Sequence, residues 1–284
     1  MPDDDCMPLR EIAGAWLRLG IPALIVRITA VRGSAPRDVG TALLVAANTQ
    51  AGTLGGGHLE WHAVQRARRL LAQPAQALPV EDTVSLGASL GQCCGGVVTL
   101  HYDLLDAARL ADWPPESPRF HLQLHGAGHV GRALVAVLSA LPCRIDWIDV
   151  RDGVFAGFDP TPRVLPILTD TPQAEIDAAP PGTFQLVMTH DHGLDLQLAE
   201  AILRRQRRSA DVGWFGLIGS AAKRARFRQK LTARGLAEIE LDFMHCPIGL
   251  PGMPGKEPGV IAIAVAAELL QRSASPLAQT PHDC

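Results

Sequence analysis

The spacing of apolar residues predicts strands and helices in the first third of the chain. The runs Pro22 to Val31 and Gly40 to Ala47 are typical of buried strands, and a further strand is predicted over 97–102. Helical spacing is found over 9–19 and over His58 to Leu71, where arginines occupy the opposite side. This mixture predicts a small α+β domain.

From Arg119 onward, apolar runs and amphipathic stretches alternate regularly, which is the signature of a doubly wound parallel sheet. The predicted elements are strands 120–125, 144–150, 185–189 and 214–218 and helices 129–141, 195–205, 221–234 and 259–271. Three prolines in the segment Trp113 to Pro118, namely Pro114, Pro115 and Pro118, interrupt both patterns and mark a domain boundary. The sequence therefore predicts an α/β protein with an N-terminal α+β domain over 1–112, a Rossmann-like doubly wound domain over 119–272 and a flexible tail over 273–284.

Composition narrows the class of protein. The 284 residues are 47% hydrophobic, and a formal net charge of -3 gives no global attraction to nucleic acid or to an anionic membrane. The N-terminus opens with three aspartates instead of a secretory signal, and no apolar run reaches the roughly 20 residues that span a bilayer. We expect a cytoplasmic protein without membrane or nucleic-acid partners, whose six cysteines are reduced.

A glycine-rich turn follows the first strand of the predicted Rossmann domain. Residues His125 to Gly131 fit the pattern G-x-G-x-x-G, and Asp149 ends the next strand about 20 residues later, where a ribose-binding carboxylate is found in dinucleotide-binding proteins. Gly126 allows the tight turn, Gly128 lets the backbone approach a pyrophosphate, and Gly131 lets helix and sheet pack closely. The turn leaves open whether its ligand is a dinucleotide or another phosphorylated molecule.

Polar residues follow other predicted strands of the same domain. Because the carboxyl ends of parallel strands meet at one edge, these loops are expected to share a ligand crevice with the glycine turn. His190 and His192 suit a metal site or acid/base chemistry, but spacing fixes no third ligand and Asp191 can cap the next helix, which favours a structural or hydrogen-bonding role. Ser220 stands at an N-cap position, and Lys223 lies in the first helical turn, where phosphate is favoured.

Two adjacent cysteines, Cys93 and Cys94, lie between glycines. Their Cα atoms, about 3.8 Å apart, are too close for a relaxed disulfide. Thiolates are soft ligands and nucleophiles, suited to a soft or high-valent metal centre or to carrying a persulfide, whereas zinc would require two more ligands at a recognisable spacing. A buried turn with inert cysteines is the alternative. A second glycine run, Gly55, Gly56 and Gly57, leads into a predicted helix.

Seven segments together resemble the XdhC/CoxI family, the xanthine dehydrogenase accessory proteins. In chain order they are Gly33–Arg37, Gly52–Glu60, Gly91–Gly96, Gly126–Gly131, Met188–His192, Gly216–Ser220 and Cys246–Leu250. The resemblance implies an N-terminal domain particular to the family and a C-terminal Rossmann domain. It also implies a chaperone that binds the molybdenum cofactor, molybdopterin, protects it and presents it to a cysteine desulfurase for sulfuration. Delivery to apo xanthine dehydrogenase would follow, so we expect a carrier rather than a catalyst, and a homodimer.

On this interpretation Cys93 or Cys94 contacts the molybdenum or its labile sulfur, while the Gly55 and Gly126 loops face the phosphorylated end. The expected cofactor-binding residues are Cys93, Cys94, Gly55, Gly56, Gly57, Gly126, Gly128, Gly131, Asp149, His190, His192, Ser220 and Lys223. Whether a nucleotide binds in the Rossmann crevice stays open. The alternatives are an NAD(P)-dependent oxidoreductase, a docking module that bridges two partners, and a metal-dependent hydrolase built on His58, His190, Asp191 and His192.

Overall fold

The computed structural model describes residues 7–73, 78–87, 95–115 and 117–274. The chain divides into two compact units, Met1–Glu116 and Ser117–Cys284. The division falls within the proline-rich segment from Trp113 to Pro118. No helix in the described ranges is long and apolar enough to cross a membrane.

The first unit is built on an antiparallel sheet. Its elements are α1 (Leu9–Arg18), β1 (Ala23–Arg32), β2 (Ala42–Ala46), β3 (Gln50–Gly52), α2 (Gly57–Leu71), β4 (Val80–Ser85), β5 (Val97–Leu104) and α3 (Ala107–Ala111). The five strands are ordered β3-β2-β1-β5-β4. Strand β1 is central and is buried on both faces, with Leu24 and Val26 in the core under α2 and Ile25 in the core with Trp16 of α1. Burial on both faces explains why β1 begins as an unbroken apolar run.

The second unit is a parallel sheet covered by helices. Its elements are β6 (His121–His125), α4 (His129–Leu138), β7 (Arg144–Asp149), β8 (Val164–Leu168), α5 (Pro172–Ala178), β9 (Phe184–Val187), α6 (His192–Ser209), β10 (Trp214–Leu217), α7 (Ala221–Ala233), α8 (Glu238–Leu241), β11 (Met244–His245) and α9 (Pro258–Ser273). The six strands are parallel and ordered β11-β10-β9-β6-β7-β8. Counted within this unit, the order is 3-2-1-4-5-6, that of the Rossmann fold, and the direction of winding switches between β6 and β9.

Each face of the parallel sheet has its own core. Leu124 of β6 belongs to a cluster with Leu134 of α4 and Val265 of α9. On the opposite face, Val187 of β9 belongs to a cluster with Ile202 of α6. A Rossmann-like parallel sheet together with an N-terminal α+β domain confirms the predicted fold class.

Candidate functional site

The glycine turn after β6 is held so tightly that side chains are excluded at two of its positions. Gly126 has φ +123°, and a Cβ there would fall on the carbonyl oxygen of Met188 at the end of β9. A Cβ at Gly131 would fall on the carbonyl oxygen of Gly126, so α4 packs directly on the turn. Gly128, by contrast, has open space where its Cβ would lie. The open side of the turn is therefore at Gly128.

The N-terminus of α4 begins at this open position. Gly128 is the N-cap residue and offers no side chain to bond the first-turn amides of the helix. Such amides, together with the positive end of the helix dipole, favour an anion. Within the turn, the Ala127 amide donates to Asp149 Oδ2 at 2.7 Å. An anion at this site would therefore meet the helix N-terminus rather than the Ala127 amide.

Asp149 at the end of β7 is buried, and its carboxylate is already bonded. Besides the Ala127 amide, the Arg151 guanidinium donates to both oxygens, from Nε at 2.9 Å and from a terminal nitrogen at 2.8 Å. Burial raises the pKa of this carboxyl, but the hydrogen bonds from Arg151 and Ala127 outweigh it and hold the pKa below its ordinary value. A ribose hydroxyl pair would have to displace Arg151 to reach Asp149.

Ser220 and Lys223 lie at the end of β10. The Ser220 hydroxyl caps α7 by accepting from the Lys223 amide at 3.3 Å, as the spacing predicted. The Lys223 ammonium is buried and donates to Asp195 Oδ2 at 2.6 Å and to the Ile218 carbonyl at 2.8 Å. Since this ammonium is committed to partners within the fold, a phosphate contact by Lys223 would require the ion pair to open and stays a prediction.

The histidines after β9 occupy an exposed position. The side chain of His192 is 81% exposed, and its Nδ1 lies 3.9 Å from Asp195 Oδ2. Asp191 caps α6 by accepting from the Leu194 amide at 2.7 Å, which is the structural role considered for it. Within the part of the chain that the structure describes, no three His, Cys, Asp or Glu side chains are grouped to hold a metal ion.

A narrow cleft opens at the point where the sheet changes its direction of winding. The space inside it that a water molecule can reach is about 10 Å³, and it lies between the ends of β6, β7 and β9 and the starts of α5 and α6. The lining residues are His125, Ile148, Asp149, Val150, Pro172, Thr189, His190, Leu194 and Leu198. Of the predicted binding residues, the structure thus brings Asp149 and His190 to one cleft beside the Gly126 turn.

His125 also lines the cleft, although no role was predicted for it from the sequence. Its side chain is buried, and its Nε2 lies 3.0 Å from Gln185 Oε1. Burial lowers the pKa of His125 to about 4, although the contacts with Gln185 and Asp195 act in the opposite direction. The only signal in the sequence is the alternation of His121, Gln123 and His125 with apolar residues along β6, which places three polar side chains on one face of a buried strand.

The glycine loop of the N-terminal unit closes around a carboxylate of its own chain. Glu60 Oε2 accepts hydrogen bonds from the amides of Leu54 at 2.9 Å and Gly56 at 3.1 Å and from the hydroxyl of Thr53 at 2.5 Å. The consecutive residues Gly55, Gly56 and Gly57 all have positive φ, at 104°, 73° and 65°. Because Glu60 already accepts from the Leu54 and Gly56 amides, an external anion could bind only to the remaining amides at the start of α2.

Three sequence motifs of this unit meet through backbone contacts. A Cβ at Gly55 would lie 2.7 Å from Pro36 Cβ, and one at Gly33 would lie 3.2 Å from Gly96 Cα. A Cβ at Gly96 would fall on the Ser34 carbonyl oxygen. The 33–37 turn, the 52–57 loop and the end of the double-cysteine motif are thus neighbours. Cys93 and Cys94 themselves lie outside the described residues.

Comparison with known protein families identifies the chain. A model of the XdhC Rossmann domain matches residues 122–269, more than half of the chain, and a model of the XdhC and CoxI family matches residues 16–81. The chain belongs to the XdhC and CoxI family. The two matches fall in the two units described above, and they confirm the resemblance carried by the motifs.

Two further proteins are similar to this XdhC-family chain. A crystal structure from Bacillus halodurans, described as a xanthine dehydrogenase, has a TM-score of 0.72 and 19% identity, and the match covers 96% of this chain and 99% of that chain. Escherichia coli YqeB, described as uncharacterized, is 27% identical over 259 residues. That match covers 88% of this chain and 43% of YqeB, so the chain spans less than half of YqeB's length. The Bacillus structure shows that the fold is shared.

Proposed function

We propose that this chain is a xanthine dehydrogenase accessory protein that binds the molybdenum cofactor and inserts it into the apo-enzyme. The observation that carries the proposal is the match of the two XdhC family models, in order, to the two units. The Bacillus halodurans relative of the same fold, described as a xanthine dehydrogenase, supports a connection with that enzyme. When bound, the cofactor would supply the molybdenum centre of the recipient enzyme, and this chain would hold it without catalysing a reaction.

The C-terminal unit has groups that fit an organic phosphate attached to a pterin. The uncapped start of α4 beside Gly128 favours the phosphate. The adjoining cleft is lined largely by apolar side chains, but it has room for only about one water molecule, about 10 Å³, so a pterin would lie over its mouth rather than inside it. Gly126 and Gly131 keep the turn and the helix in place. These residues would bind and orient the pterin end.

The N-terminal unit contributes the thiols to the proposal. Cys93 and Cys94 directly precede Gly95 and Gly96, and Gly96 lies against the 33–37 turn. A thiolate is a soft ligand, so one of these cysteines would contact the molybdenum or its labile sulfur. The Gly55 to Gly57 loop would meet the phosphorylated end only at the amides that Glu60 leaves free. These assignments rest on chemistry and on the family resemblance.

The proposed partners follow from the same role. A cofactor carrier in sulfuration would meet a cysteine desulfurase before it meets apo xanthine dehydrogenase. We infer a cytoplasmic homodimer, because two-fold dimers are the commonest oligomers of soluble proteins. An oxidoreductase that uses a nicotinamide dinucleotide has less support, because Asp149 is occupied by Arg151.

Purification from a host that makes the cofactor tests the proposal. Mass spectrometry and metal analysis of the isolated protein should find molybdopterin and molybdenum, and the loaded protein should activate apo xanthine dehydrogenase. A double variant Cys93→Ala/Cys94→Ala should lose cofactor or transfer, whereas Cys284→Ala, which removes another thiol, should retain both. Copurification of a nicotinamide nucleotide or zinc in place of molybdopterin would refute the proposal.

A further inference from the structure

The N-terminal unit has a pocket to which the proposed function assigns no role. It lies between the start of α1, the turn before β2 and the segment that follows α3. The space inside it that a water molecule can reach is about 370 Å³, within the roughly 300–1,000 Å³ of small-molecule sites. The lining residues are Leu9, Arg10, Gly40, Thr41, Ala42, Trp113, Pro114 and Pro115. The pocket is therefore large enough for a small organic ligand.

Contacts within the unit hold this pocket in shape. Arg10 Nε donates to the Trp113 carbonyl at 2.7 Å, which ties α1 to the segment after α3. Gly52 at the end of β3 has φ +82°, and a Cβ there would lie 2.9 Å from the Ala42 carbonyl oxygen and 3.0 Å from Leu9 Cδ2. The first residue of the glycine-rich family motif thus packs directly on two residues that line the pocket. The pocket is formed by the fold itself.

An arginine contacts the indole ring of Trp113. Arg27 Cζ lies 4.6 Å from the ring centroid, which is a cation–π contact. One terminal nitrogen of Arg27 is buried and has no hydrogen-bond partner within the described part of the chain. Burial lowers the pKa of Arg27, and the carboxylate that opposes this effect, Asp103, is itself bonded to Arg109 at 2.5 Å. The positive charge beside this wall of the pocket is therefore only partly compensated.

The lining of the pocket carries a positive charge of its own. It contains Arg10 and no carboxylate. Asp38 and Asp112 are close to lining residues in sequence, but both are exposed and neither lines the pocket. A guanidinium has five N–H groups, and the bonds that Arg10 makes to two backbone carbonyls leave others free. Although the chain has a net charge of -3, the charge at this pocket favours an anion.

The rest of the lining is mostly apolar and includes rigid rings. Trp113, Pro114 and Pro115 contribute their rings and Leu9 an aliphatic side chain. The Thr41 hydroxyl adds a hydrogen-bond donor. Apolar walls with a few polar groups that fix the orientation are typical of small-molecule sites, and an indole ring offers a surface on which another ring can stack. The ligand that suits this lining has a flat apolar body and one negatively charged group.

We propose that this pocket is a binding site for a small aromatic anion, in which a flat ring carries a carboxylate or a phosphate monoester. Arg10 and Thr41 bind the charged oxygens, and the ring packs against Trp113 and Pro114. The site is independent of the proposed function, because none of its lining residues is among those assigned to the molybdenum cofactor.

The test is a titration of the full-length protein with three probes, followed by calorimetry. Naphthalene-2-carboxylate and 2-naphthyl phosphate represent the two kinds of anion, and naphthalene-2-carboxamide is the neutral counterpart of the carboxylate. In protein labelled with ¹⁵N-tryptophan, the indole resonance of Trp113 is identified by its loss in Trp113→Phe. At least one anion should bind and shift this resonance. The amide should bind about 10-fold or more weakly than the carboxylate if the carboxylate is the preferred anion.

Variants assign the charge selectivity to Arg10. Arg10→Met removes the guanidinium but keeps a long apolar side chain, and the affinity for the anion should fall about 10-fold or more. The affinity for the amide should change little, whereas a distorted pocket would weaken the binding of all three probes. Arg18→Met is the matched control, because Arg18 lies on the same helix but does not line this pocket. It should leave all three affinities unchanged.

The outcomes decide the proposal and the kind of anion. Tighter binding of the carboxylate or of the phosphate, lost in Arg10→Met, supports the site and identifies the group that it prefers. The proposal is overturned if neither anion shifts the Trp113 resonance, if the amide binds as tightly as both anions, or if Arg10→Met and Arg18→Met bind alike. The comparison of anion and amide uses the wild type, so it holds even if Arg10→Met does not fold. Cofactor transfer, which decides the proposed function, is measured separately.

Discussion

The ammonium nitrogen of Lys223 lies 2.6 Å from Asp195 Oδ2, and both side chains are buried. Asp195 Oδ1 accepts from the amide and the hydroxyl of Thr189 at 3.0 Å and 2.6 Å. This pair therefore joins the end of β9 to the first turns of α6 and α7. It is a buried ion pair at the edge of the sheet where the candidate site lies, with the two side chains 8% and 1% exposed.

Removal of the lysine should destabilise the fold. In Lys223→Met the Asp195 carboxylate remains buried without its counter-ion, and such a loss costs about 3–5 kcal/mol. Urea unfolding should report a decrease of about this size in the free energy of unfolding. Lys230→Met on the same helix removes an exposed charge and should cost less than about 0.5 kcal/mol. Equal losses for the two variants would contradict a buried ion pair at Lys223.

The glycines of the turn after β6 should respond differently to alanine. Gly126→Ala forces a side chain into a positive-φ position and onto the Met188 carbonyl, so we expect a loss of about 3 kcal/mol or more. Gly128→Ala places its methyl group in open space and should cost no more than about 1 kcal/mol, the difference between glycine and alanine at an N-cap. If phosphate approaches there, Gly128→Ala should still weaken binding of a phosphorylated ligand, as calorimetry would show. A Gly126→Ala protein as stable as the wild type would disprove the close approach of Gly126 to the Met188 carbonyl.

His125 should make the protein sensitive to mild acid. Its pKa falls from 6.5 in the unfolded chain to about 4 in the fold, so between these values the unfolded chain binds the additional proton. The free energy of unfolding is therefore unaffected by His125 above pH 6.5. It decreases by roughly 3 kcal/mol as the pH falls towards 4. Urea unfolding at several pH values should show a shallower decline for His125→Phe than for the wild type. Parallel curves would contradict a buried neutral His125.

Glu60 should hold the glycine loop of the N-terminal unit closed. Glu60→Gln puts a neutral amide oxygen in place of the carboxylate oxygen that accepts from two amides and a hydroxyl, which weakens these bonds and should cost about 1 kcal/mol. Hydrogen exchange at the Leu54 and Gly56 amides should accelerate. Glu81→Gln, whose side chain is 61% exposed, serves as the control and should change neither measurement. Unaltered exchange in Glu60→Gln would exclude this arrangement of the loop.

Much of the fold follows from local patterns, and the exceptions have physical reasons. The alternation after Arg119 predicted the parallel sheet because short, largely buried strands recur between amphipathic helical stretches. The edge strand β8 was missed because Pro166 interrupts it and because it is partly exposed, and the seven-residue α5 is too short for a clear helical period. Strand β4 was missed because its sequence, Val-Glu-Asp-Thr-Val-Ser, is mostly polar at a sheet edge.

The candidate site was predictable in its location but not in its contacts. Strand ends placed the Gly126 turn, Asp149 and His190 at one edge from the sequence alone. The bonding of Asp149 to Arg151, and of Lys223 to Asp195, could not be predicted, since a charged residue near a glycine turn suits an external ligand equally well. The state of His125 depends on Gln185, 60 residues away in sequence, and only the register of β6 with β9 brings the two together.

Three hydrogen bonds in series link the buried His125 to α5. His125 Nε2 lies 3.0 Å from Gln185 Oε1, Gln185 Nε2 donates to Gln123 Oε1, and Gln123 Nε2 donates to the Glu175 carbonyl, which would otherwise lack a helical partner. The dipoles along this series all point the same way, so polarisation at one end strengthens every bond along it. A change in the bonding or protonation of His125 would therefore alter the bond to the last turn of α5, and amide exchange in that helix would detect it.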